Sequence, residues 1–127
     1  TATRDYHLTH MLPLGCFIYS PDREAMNLQQ QFEELVFHPC YLHGCECSRK
    51  DVNKGITLKR LVESLGLSLE QCMAFGDAGN DRELLQMCGI GVCMGNGSES
   101  LKEVSDYVTT DIEDNGIYNA LKHFKVI

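Results

Sequence analysis

Positive charge is scarce in this chain. Lys and Arg number 11 against 18 Asp and Glu, a net charge of −7 over 127 residues. A surface that grips phosphate backbones needs a basic face. The basic residues here are scattered, apart from Arg49-Lys50 and Lys59-Arg60, so no nucleic-acid partner is expected. Long hydrophobic runs are lacking too. None approaches the roughly 20 apolar residues of a membrane-spanning helix, and no secretory leader is recognisable. A membrane is therefore not an expected partner. No internal repeat and no low-complexity segment occurs. The first residue is Thr1 rather than Met, which reads as a removed start or as a piece of a longer polypeptide.

What is present is ordinary for a soluble globular chain: 43% hydrophobic and 23% charged residues. The length suits one modest domain or part of a larger one. Seven cysteines are many, but the number is odd and the spacings are not those of a small secreted scaffold. Cys72, Cys88 and Cys93 lie in apolar runs, where a free cysteine acts as a small buried hydrophobe. A reducing cytoplasm is the expected location.

The first 13 residues carry no signal. Gly15 to Tyr19 reads as a strand. Ser20-Pro21 then suits a helix start, with Leu28, Phe32, Leu35 and Val36 on one face. Val36 to Ser48 reads as one or two short strands. From Lys54 the order becomes regular. An amphipathic helix with Leu58, Leu61, Val62 and Leu65 ends at Gly66. Cys72 to Phe75 is a buried strand. Asn80 is the expected cap of a helix carrying Leu84, Leu85 and Cys88, with Glu83 completing a capping box. Ile90 to Met94 is the next strand, ended by Gly95-Asn96-Gly97. Ser98 opens a helix with Leu101, Val104 and Val108 on one face. Tyr107 to Thr110 forms a last strand, and Ile117, Ala120, Leu121 and Phe124 mark a final helix. Such alternation predicts a parallel sheet with helices packed on it. A boundary is expected near Lys50 to Asn53.

This alternation places the polar residues. In βαβ units each helix starts where a strand ends, at the carboxyl edge of the sheet, and ligands bind there. Lys54 opens its helix, and Asp77 ends the strand at Phe75-Gly76-Asp77-Ala78-Gly79-Asn80-Asp81. Asn96 and the Asp111 to Gly116 loop fall on the same edge. Asp81 in a first helical turn suits the helix dipole, whereas Lys54 opposes it. A carboxylate pair at such an edge suits a hard cation such as Mg²⁺.

At Lys54-Gly55, Gly76-Asp77-x-x-Asn80-Asp81 and Gly91-Val92-Cys93-Met94-Gly95-Asn96 the chain resembles the haloacid dehalogenase superfamily, and most of all its Cof-type phosphatases. The tail Asp111 to Ile117 is similar to that group as well. The resemblance implies an α/β fold: a Rossmannoid parallel sheet over residues 51–127, preceded in residues 1–50 by the end of an α/β cap domain. It implies a Mg²⁺-dependent phosphatase acting on a small phosphorylated metabolite such as a sugar phosphate. Lys54 would neutralise nucleophile and phosphoryl oxygens, Asp77 would ligate Mg²⁺, Asp81 would support the metal, and Asn80 would help hold Lys54 or the phosphate. Positioned cations stabilise the charge that a transferring phosphoryl group spreads over its oxygens.

One family element is missing. The nucleophilic aspartate sits in a D-x-D-G motif after the family's first strand, and no D-x-D occurs here. The 127 residues alone are therefore expected to be catalytically inactive. The alternative is a non-catalytic, truncated relative that binds a phosphate or a partner. An unfinished sheet would expose an edge to a second copy. A separate cluster, His38, Cys40, His43, Cys45 and Cys47, holds zinc-ligand residue types. Its spacing matches no familiar finger, and packed, reduced cysteines are the favoured reading.

Overall fold

The computed structural model describes residues 15–19, 24–39 and 43–127. The chain divides into two compact units, Thr1–Asp51 and Val52–Ile127.

In the first unit β1 (Cys16–Tyr19), β2 (Leu35–Pro39) and β3 (Gly44–Arg49) form an antiparallel sheet of order β1-β3-β2. Alternation decides its faces. Phe37, Cys45 and Cys47 are buried on one, with Ile18, Leu28 and Leu35 packed against them. Phe17, Tyr19 and Glu46 lie on the other and are exposed. Cys45 and Cys47 thus share a face, as strand spacing requires.

The expected long helix is only a 3-10 helix, Glu24–Gln30, and its start at Ser20-Pro21 lies outside the described residues. Leu35 and Val36, read as the end of its apolar stripe, belong to β2. Gln29 explains the switch. Its amide donates to the Leu35 carbonyl at 2.9 Å and its oxygen accepts from the Phe37 N–H at 3.1 Å. The side chain thus satisfies edge groups of the strand in place of a further helical turn. His43 precedes β3 with φ 60°, a left-handed turn conformation, so the strand does not run through it. Cys40 lies outside the described residues, and no three His, Cys, Asp or Glu side chains among the described residues converge to hold a metal.

The second unit is a parallel sheet with its helices in the expected alternation. It comprises α1 (Lys54–Ser64), β4 (Met73–Gly76), α2 (Arg82–Met87), β5 (Ile90–Cys93), α3 (Glu99–Lys102), β6 (Tyr107–Val108) and α4 (Gly116–His123). The strand order is β4-β5-β6, in register Phe75 to Val92 and Cys93 to Val108. Ala74, Leu85, Cys88, Cys93 and Leu101 form the core, with Leu58, Cys72, Leu84 and Val104 against it. Among the described residues β4 is paired on one side only.

Three local readings change. The stripe of α1 is only half used: Val62 is buried, but Leu61 and Leu65 are 54% and 64% exposed. Val108 lies in β6 and not on the face of α3, which is a single turn. Asn80 does not cap α2. It sits inside a 3-10 turn, Gly79–Asp81, and the Asp81 carboxylate makes the capping contact by reaching back to that turn's first backbone groups. Asp81 meets those N–H groups and the Lys54 ammonium at once, and its position in the turn, not its length, sets it apart from Asn80.

Candidate active site

Each side chain of the site stands where an element of the second unit begins or ends at the carboxyl edge. Asn53 caps α1 by accepting the Ile56 N–H at 2.8 Å, which fixes Lys54 as the first helical residue. Gly55 lets α1 approach α2 closely. A Cβ there would lie 2.7 Å from Met87 Sδ and 2.9 Å from the Glu83 carbonyl oxygen. On the other side, β4 delivers Asp77 at its end. The Ser98 N–H donates to the Asp77 carbonyl at 3.0 Å and the Met94 N–H donates to the Gly76 carbonyl at 2.9 Å. The turn after β5 is thereby tied to the turn after β4.

Asp81 is the anchor. It is 5% exposed, and a buried carboxylate is costly unless paired and hydrogen-bonded. One oxygen takes an ion pair from Lys54 Nζ. The other accepts the backbone N–H groups of Asp77 at 3.1 Å and Ala78 at 3.3 Å. Gly76 makes room for this: a Cβ there would lie 2.5 Å from Asp81 Cβ. Asp77 differs. Its side chain is exposed and makes no hydrogen bond or ion pair with the described residues.

Lys54, Asp77 and Asp81 line a cleft of about 410 Å³ together with Asn96, Ile112 and Ile117. Asn96 Oδ1 accepts the Ile112 N–H at 3.2 Å and so joins the β5 turn to the loop before α4. That loop is itself bound: Thr109 Oγ1 donates to the Gly116 carbonyl at 2.7 Å, and Asn119 Nδ2 donates to the Asp114 carbonyl at 2.9 Å. The cleft thus has a charged floor at Lys54 and Asp81, and an apolar side at Ile112 and Ile117. The two isoleucines escaped sequence reading. Ile117 read as part of a helix face and Ile112 carried no signal of its own. Cys93, beneath the turn, is no nucleophile. Burial pushes its thiol up, Asp77, Glu99 and Asp81 add to this, and Lys102 opposes it.

Of the four residues singled out from sequence, the structure brings Lys54, Asp77 and Asp81 together. Asn80 stands apart from the cleft lining. Its Oδ1 is buried with no hydrogen-bond partner among the described residues, an arrangement that costs about 1–3 kcal/mol. The donor set fits Mg²⁺, which binds through one or two carboxylates and keeps several waters. Asp77 has free oxygens to offer at the mouth. Asp81 has its oxygens committed and fits the role of holding Asp77 and Lys54 in place.

A parallel sheet with polar and charged residues gathered at its carboxyl edge defines the class of open α/β proteins, which bind ligands at that edge. Within that class the match is specific. Residues 15–121 fit the haloacid dehalogenase-like hydrolase family, and the chain belongs to it. It is 37% identical to phosphatase YwpJ of Bacillus subtilis over 91 residues, 72% of this chain and 32% of that one. It is 36% identical to the HMP-PP phosphatase of Yersinia enterocolitica over 116 residues, 86% of this chain and 42% of that one. Among solved structures, a HAD-superfamily phosphatase from Bacteroides thetaiotaomicron superimposes with a TM-score of 0.88 at 27% identity, covering 99% of this chain and 47% of that one. A HAD subclass IIB sugar phosphatase gives 0.80 at 31% identity, covering 87% and 43%. The chain therefore spans about a third of the length of the first of these curated relatives and about half of the solved structures.

Proposed function

We propose that this chain carries the lysine-and-metal half of a Mg²⁺-dependent phosphatase for a small phosphorylated metabolite such as a sugar phosphate. The observation that carries this reading is the Lys54–Asp81 pair beside the unengaged carboxylate of Asp77. Lys54, half-exposed over the cleft, supplies positive charge to phosphoryl oxygens. Asp81 keeps the ammonium aimed. Asp77 is the residue to hold Mg²⁺, with Asp81 behind it. When bound, Mg²⁺ supplies charge neutralisation and a template for the phosphoryl oxygens. Ile112 and Ile117 give one side of the cleft an apolar face. The curated relatives named as phosphatases support the reaction class.

In this reading the nucleophile is an aspartate outside the chain, and the aspartyl-phosphate forms on it. The open side of β4, next to Asp77, is where a further parallel strand fits. Residues 1–51 are then the end of a cap domain and 52–127 the end of the core. A cytoplasmic location and self-association through the open sheet edge belong to the same proposal. A non-catalytic phosphate-binding module is the second reading, favoured by the lack of any D-x-D. Calorimetric titration of inorganic phosphate tests the site itself. Binding is expected with Mg²⁺, and is expected to be lost without Mg²⁺ or in Asp77→Asn. Equal binding in all three cases contradicts the assignment.

A further inference from the structure

The first unit holds a pair of thiols that the phosphatase reading does not use. Cys16 in β1 is the direct cross-strand partner of Cys47 in β3. Opposed residues of an antiparallel pair have Cα atoms roughly 4.5–5.5 Å apart, within the roughly 4.4–6.8 Å that a disulfide spans. Both side chains lie on the same face. Cys47 is buried in the cluster with Phe37 and Cys45, and Ile18, two residues after Cys16, packs on that cluster. Cys45 is opposed by Ile18, not by a cysteine. All six described cysteines are reduced.

We propose that Cys16 and Cys47 are an oxidation site that closes reversibly into a cross-strand disulfide. The oxidant is a small-molecule disulfide of the glutathione class. The exposed Cys16 thiolate attacks it, breaking its S–S bond and releasing one glutathione thiolate. The Cys47 thiolate then attacks the Cys16 sulfur of the mixed disulfide and releases the second. Two protein thiols are oxidised, one disulfide is reduced to two thiols, and the two protons pass to the released thiolates. The order of attack follows from the environments. Burial first, and then the neighbouring Cys16, push Cys47 up to about 11. Cys47 is thus the poorer first nucleophile. It becomes the resolving one once Cys16 is capped and its charge is gone. The product pins edge strand β1 to the centre of its sheet.

The test is oxidation of the whole chain with oxidised glutathione, read by intact mass and peptide mapping. Trypsin cuts after Arg23 and Arg49 and so separates Cys16 from Cys47. The expected product has lost two hydrogens, carries no retained glutathione, and shows a Cys16–Cys47 cross-link that dithiothreitol removes. C45S keeps it, and C16S and C47S abolish it. C16S changes an exposed side chain and serves as the folded control. A stable glutathione adduct on Cys16, a link from Cys16 to Cys40 or Cys45, or two thiols left free would overturn the proposal.

Discussion

At the scale of single residues, the two acids of the Gly76 to Asp81 turn have opposite characters, and substitution separates them. Asp81 is buried and uses both oxygens within the chain. Asp81→Asn weakens the pairing of Lys54 and leaves an amide group against backbone N–H groups, so a loss of about 1–3 kcal/mol in urea unfolding is expected. Asp77 is exposed and unengaged, and Asp77→Asn should leave stability within about 0.5 kcal/mol while removing Mg²⁺-dependent phosphate binding. Gly76→Ala sets a methyl group against Asp81 Cβ. It should cost about 1–3 kcal/mol by overpacking, in the same unfolding assay. Thiol chemistry gives a further check. Cys47 and Cys93 are both raised above the ordinary thiol range, chiefly by burial. A raised value means less thiolate at pH 8, so iodoacetamide should modify exposed Cys16 well before either. Equal labelling rates would contradict that assignment.

At the scale of elements, the parallel unit was legible because its punctuation is dense. Gly66, Gly89 and the Gly95-Asn96-Gly97 turn bracket short apolar strands too brief to be helices, so periodicity and breakers agree. The carboxyl-edge rule then located Lys54 and Asp77 with no contact known. What stayed illegible depended on tertiary pairing. Leu35 and Val36 fit a helix stripe and a strand equally, and pairing with β3, together with Gln29 bonding to the β2 backbone, decides between them. Asn80 and Asp81 both suit a cap, and the Lys54 contact, 27 residues away in sequence, selects Asp81. The exposed Leu61 and Leu65 of α1 could not be told from buried Val62 by spacing alone. Leu85 and Leu101, each 1% exposed, tie α2 and α3 to the sheet. Leu85→Ala and Leu101→Ala should each cost about 2–5 kcal/mol by urea unfolding. Losses below 1 kcal/mol would mean that this core is not the one described.

At the scale of the whole molecule, the chain matches part of the length of its relatives. Its second unit gathers a lysine, two acids and two isoleucines around one cleft, which the proposed function reads as one side of a phosphate site. Among the described residues β4 is paired on one side only, and the buried amide oxygen of Asn80 has no hydrogen-bond partner. Phosphatase YwpJ is about three times as long as the segment it shares with this chain. The central claim is that this half-site works only with a nucleophile supplied by preceding sequence. The most direct measurement is release of inorganic phosphate from a panel of sugar phosphates in Mg²⁺. It compares the 127-residue chain with the chain extended through its upstream coding sequence. Release by the extended protein, lost in its Asp77→Asn variant, and none by the shorter chain is the expected result. Turnover by the shorter chain, or undiminished turnover in the extended Asp77→Asn variant, would contradict it.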